Sequence, residues 1–96
     1  MAKFIVLANW TDQGIKNVRE SAGRVDAARE MAKKLGCTMG DFYMTAGVAD
    51  MVFMVDAPDD AAMATFSLGL ASKGNIRTTT MKAFTEAEYR KITGAA

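Results

Sequence analysis

Asp50 opens the most apolar stretch of the chain, ADMVFMV, where a carboxylate is costly to bury unless it is paired. Facing a water-poor lumen, such a carboxyl is a candidate general acid or base. Its structural alternative is to accept bonds from the backbone of the Gly47 turn or to pair with a basic side chain. Arg77, in NIRTTT, carries a planar, permanently charged fork suited to a carboxylate or an enolate-like oxygen. It suits equally a salt bridge to Asp50, Asp41 or a partner subunit. Strand alternation puts Asn75, Arg77 and Thr79 on one face. At the end of the first apolar run, the indole of Trp10 offers one N–H to a ligand oxygen and a ring as pocket wall, or else a large anchor against the next helix. Thr11 beside it reads better as a helix-entry cap than as a reactive hydroxyl. Tyr43 adds a phenol whose direction depends on strand register. Of eight methionines, Met39, Met44, Met51, Met54 and Met81 fall on strand-like segments, where they suit an adaptable apolar lumen or plain core filling.

What is missing narrows the chemistry. With no histidine, His-based triads, His metal sites and His general bases are excluded. The single Cys37 can form no internal disulfide, and without histidine it is a poor nucleophile. The glycines fit neither a P-loop nor a dinucleotide fingerprint, so no cofactor is expected. Twelve basic and eleven acidic residues nearly cancel, which argues against nucleic acid and anionic membranes as partners. The start MAKFIVLANW passes directly into strand-like residues, and no apolar run is long enough for a membrane span, so the expected compartment is the cytoplasm.

The elements that must position these residues follow from periodicity. Residues 3–10 form a strand apolar on both faces. After TDQG, a long helical stripe runs through Val18, Ala22, Val25, Ala28, Ala32 and Leu35 and ends at Gly36. Residues 37–46 and 49–56 flank Gly47 as two strands of a tight hairpin. Pro58, placed at N1, with Asp59 and Asp60 starts a second helix, which turns Ala62, Phe66 and Leu70 inward and stops at Gly74. The threonine-rich residues 75–84 form a fourth strand. Thr85 and Glu88 make a capping box for a short last helix, with Ala87, Tyr89 and Ile92 as its apolar positions.

This order predicts a single α+β domain over residues 1–96, ferredoxin-like βαββαβ with a C-terminal helix and an antiparallel four-stranded sheet. Helices cover one face of such a sheet, yet these strands look apolar on both. A second copy is expected to cover the other face, giving a homodimer or larger assembly whose paired sheets enclose a small barrel.

The segments NWTDQGIKNVRESAGR, DFYMTAGVADMVFMVDAPDD and GNIRTTTMKAF together resemble the GYD-domain family of dimeric α/β-barrel proteins. The family's Gly-x-Tyr-Asp falls on Gly47, Val48, Ala49 and Asp50, so the glycine and aspartate are kept and Ala49 stands in place of the tyrosine. The resemblance implies the fold and a homodimer, while related barrels include cofactor-free monooxygenases and isomerases as well as binding proteins. Two functions are therefore expected. One is a binding module holding a small anionic or aromatic molecule in a sheet-face pocket through Trp10, Thr11, Tyr43, Asn75 and Arg77. The alternative is a cofactor-free enzyme on a cyclic or phenolic substrate, with Asp50 as base.

Overall fold

A computed structural model describes residues 1–96. Strand β1 (Ala2–Trp10) leads into a short helix α1 (Asp12–Lys16), a 3₁₀ turn (Val18–Glu20) and helix α2 (Ser21–Lys34). Strands β2 (Thr38–Met44) and β3 (Met51–Ala57), helix α3 (Asp60–Ser72), strand β4 (Ile76–Ala83) and helix α4 (Glu86–Ala95) follow. The sheet order is β2-β3-β1-β4 with every neighbouring pair antiparallel. This is the expected ferredoxin-like arrangement.

One face of the sheet is sealed by α2 and α3. Phe4, Val6 and Ala8 of β1 and Met51, Phe53, Val55 and Ala57 of β3 pack there against Ala28, Ala32, Met63, Phe66 and Leu70. Each large apolar side chain withdrawn from water contributes about 1.5–3 kcal/mol, so this single layer carries most of the stability. The interleaved residues Ile5, Leu7, Val52 and Met54 point the other way and are only half-buried.

Several boundaries differ from the sequence expectation for local reasons. The long helical stripe is broken at Asn17, whose side-chain amide donates to the Gln13 carbonyl at 3.1 Å. Arg24 then donates to the carbonyls of Gly14 and Asn17 at 3.1 and 3.0 Å, satisfying acceptors that a continuous helix would have used. Val18 and Ala22 are exposed as a result, and the buried stripe begins at Val25. The N-cap of α3 is Asp59, whose side chain accepts from the Ala62 N–H at 2.8 Å, so Pro58 lies one residue before the cap instead of at N1. The β2–β3 connection is six residues, 45–50, longer than a tight hairpin. Gly36 and Gly74 do end their helices, with φ of 76° and 81°. The Thr85–Glu88 capping box forms with both reciprocal bonds, which hold the Glu88 carboxyl below the usual range.

The β1–α1 and α3–β4 junctions are fastened together. Thr11 donates its N–H to the Asn75 carbonyl at 3.1 Å and its hydroxyl to the Gly74 carbonyl, while that same hydroxyl oxygen caps α1 at Gly14 N. Gln13 adds bonds to the Lys73 carbonyl and the Asn75 side chain at 3.1 and 3.0 Å. The approach is so close that a Cβ at Gly14 would lie 1.9 Å from the Asn75 carbonyl oxygen. Gly14→Ala is therefore expected to force the two junctions apart and destabilise the protein by about 2–4 kcal/mol, read as a lowered urea midpoint with unchanged slope.

Candidate functional site

Apart from Asp50, the candidate site residues singled out from the sequence separate into two groups on opposite sides of the sheet. Trp10, Thr11 and Asn75 gather at the junction of β1, α1, α3 and β4, on the helix-covered side. Trp10 pairs with Ile76 in the β1–β4 ladder, and its ring packs against the core. Its buried Nε1–H meets no acceptor in the protein. Thr11 is the cap described above. Asn75 precedes β4 and is held by Gln13, so strand alternation does not reach it and it does not share a face with Arg77.

Arg77 and Tyr43 lie on the open face. Arg77 is exposed opposite Asn9 and enters no ion pair; Tyr43 is exposed opposite Val52. They occupy the two edge strands with β3 and β1 between them, about 14 Å apart at ordinary strand spacing. One small molecule cannot touch both within a single chain. Between them run Ile5, Leu7, Val52 and Met54, with Met81 opposite Ile5. Lys3 and Asp56, directly opposite each other in the β1–β3 register, close one end of this apolar strip with a 2.9 Å ion pair. Half-exposed as it is, that pair contributes about 0–1 kcal/mol and serves more as a polar rim than as a clamp.

Asp50 is bound into the backbone. Its Oδ2 accepts the Trp10 N–H at 3.0 Å, and its own N–H donates to the Ala8 carbonyl and to the Asn9 side chain, both at 3.0 Å. Its carbonyl accepts from Thr45 N at 2.8 Å. The aspartate thus ties the 45–50 loop to the end of β1, a role that the sequence allowed but assigned to the Gly47 turn. Gln13, Arg24 and Lys73 are junction residues that sequence reasoning missed. The only signal for them was polar residues beside TDQG and before Gly74.

The methionines divide in the same way: Met39 and Met51 are core, Met54 and Met81 face the open side, and Met44 is exposed on the edge. No cluster of three or more His, Cys, Asp or Glu side chains gathers to hold a metal, and no helix is long and apolar enough to cross a membrane.

Asp50→Ala leaves the Trp10 N–H without its acceptor and is expected to cost about 1–3 kcal/mol of stability, whereas Asp50→Asn, whose amide oxygen still accepts, costs less. Thermal denaturation followed by circular dichroism compares the two. Burial and the nearby Asp59 carboxylate push the Cys37 thiol up from its ordinary value. Iodoacetamide at mildly alkaline pH is accordingly expected to label Cys37 only as fast as the chain unfolds, which mass spectrometry with and without denaturant reads out.

Comparison with known proteins fits this geometry. A protein from Thermus thermophilus described as a glutamine synthetase and cystathionine beta-lyase binding protein is 33% identical over 89 residues, covering 92% of this chain and 94% of its own. A crystal structure from Thermus thermophilus superposes with a TM-score of 0.57 at 24% identity, covering 88% of this chain and 95% of the other. A feast or famine regulatory protein from M. tuberculosis, complexed with L-methionine, superposes with a TM-score of 0.69 at 15% identity over 88% of this chain. That likeness is one of fold, and this chain spans only 51% of the regulator. The sequence profile of the GYD domain matches residues 4–93, and the chain belongs to the GYD-domain family.

Proposed function

We infer that the chain is a binding module that pairs with a second copy through its open sheet face and, so assembled, docks onto another protein. The observation carrying this reading is the uncovered strip of Ile5, Leu7, Val52, Met54 and Met81, apolar at its centre and polar at its rim, the pattern of an association surface. Four strands of about seven residues give on the order of 400 Å² of sheet. That is about half of what one partner buries in a stable interface. The C-terminal segment supplies more: no residue of α4 is buried, and Phe84, Tyr89 and Ile92 are each at least half exposed. The molecule is correspondingly long, 48 × 31 × 18 Å, with a radius of gyration of 14.3 Å against about 12.5 Å for a compact domain of this length.

Docking onto a protein is supported by the Thermus relative, whose description is of binding two enzymes. The lumen between two paired faces also suits a small anionic or aromatic molecule, with unpaired Arg77 as its charge partner and Tyr43 of the facing copy as a wall. General-base catalysis fits less well, because the Asp50 carboxylate is committed to a main-chain N–H.

Sedimentation velocity tests the reading. The wild type is expected at twice the chain mass of 10.3 kDa or a higher multiple, and Leu7→Asp at the single mass with its circular dichroism retained. Added glutamine synthetase or cystathionine beta-lyase is expected to carry the wild type into a faster boundary. A wild-type monomer removes the pairing, and free sedimentation beside both enzymes removes the docking.

A further inference from the structure

The helix-covered side holds a space that the core does not fill. A cavity of about 230 Å³ lies between α2 and the sheet near the α3–β4 junction, with Phe42, Met51 and Phe53 as its floor, Val25 and Ala28 on one side and Trp10 beside Ile76 on another. Protein interiors contain few voids larger than a water molecule, and an apolar one is a poor host for water. The Trp10 ring lines its wall, with Nε1–H itself buried behind that surface. Its rim is formed by Ser21, Arg24, Lys73 and Asn75, with no carboxylate among the lining residues. Arg24 is held by the Gly14 and Asn17 carbonyls, and Lys73 is exposed and in no ion pair.

An unfilled apolar volume and a rim with two cations and no carboxylate meet in one place. We propose that this cavity is a binding site for a small carboxylic acid with a single aromatic ring or a branched alkyl body. The body occupies the space against Phe42, Phe53 and Val25. The carboxylate faces the Lys73 ammonium at the mouth, beside the Ser21 hydroxyl and the Asn75 amide. The size agrees: an apolar cavity of roughly 150 Å³ is enough for benzene, and drug-sized ligands need about 300 Å³ or more. Gln13 fixes the rim by holding the Lys73 carbonyl and the Asn75 side chain, so the charge stands at the mouth before any ligand arrives. The cavity lies across the sheet from the open face, and pairing of two copies through that face leaves it accessible.

Trp10 is the only tryptophan in the chain, so the indole N–H gives one resolved signal in a ¹H–¹⁵N spectrum and reports on the cavity wall that its ring lines. Titration of the full chain with phenylacetate is expected to move that signal along a saturable curve. Lys73→Met, an exposed position that does not threaten folding, is expected to weaken binding by about tenfold, the effect of one lost charge-assisted contact. Phenylacetamide is expected to bind more weakly than phenylacetate. The same curve is expected from the Leu7→Asp chain, which separates this site from the pairing of copies. An indole signal that does not move saturably overturns the site. Equal binding of the acid and the amide, or of the wild type and Lys73→Met, overturns the ligand class.

Discussion

A four-stranded sheet has two faces, and α2 and α3 are long enough to cover one. Everything else in this chain is arranged around that asymmetry. The covered face takes the fully buried residues Phe4, Val6, Phe53 and Val55, whose withdrawal from water drives folding. The uncovered face receives the intervening residues Ile5, Leu7, Val52 and Met54 by the strict alternation of strand side chains. Lys3, Asp56 and Arg77 interrupt that face with charge, while Phe84, Tyr89 and Ile92 of the C-terminal segment add exposed apolar area.

Rigidity at the Trp10 end of the sheet depends on a few hydrogen bonds to the backbone. Thr11, Gln13 and Gly14 fasten the β1–α1 junction to Lys73, Gly74 and Asn75, and Asp50 fastens the β2–β3 loop to the end of β1. Fixing these three connections holds Trp10 at the wall of a space that neither α2 nor α3 fills. A polar scaffold is thus spent on rigidity, while Trp10 Nε1 stays without an acceptor and Lys73 and Arg77 without an ion pair.

The fold was legible because its signals are local. Gly36 and Gly74 mark helix ends through their positive φ, Thr85 and Glu88 announce a capping box, and the alternating apolar strands foretell a sheet covered by helices on one face. The break at Asn17 was not legible, since it depends on Arg24 reaching back to two carbonyls, a contact between residues seven and ten apart. Asp50 drew attention for the right reason, as a carboxylate beside an apolar strand, but its partner is the backbone of a strand forty residues away. The cavity could not be read at all. Met39, Phe42, Met51 and Val25 look like ordinary core residues, and whether they meet or leave a gap is decided by the angle at which α2 crosses the sheet. The bulge between Met39 and Phe42 also shifts the register so that Phe42 turns inward and Tyr43 outward.

The central claim, that the open face of the sheet is buried against a second copy in solution, is tested most directly by the methyl signals of Met54, Met81, Ile5 and Leu7 in the presence of a soluble nitroxide. Burial in a pair predicts that these methyls keep their intensity while that of Val48, 95% exposed at its loop tip, is lost. Broadening of the Met81 and Leu7 methyls to the same degree as Val48 would show the face open to solvent and contradict the claim.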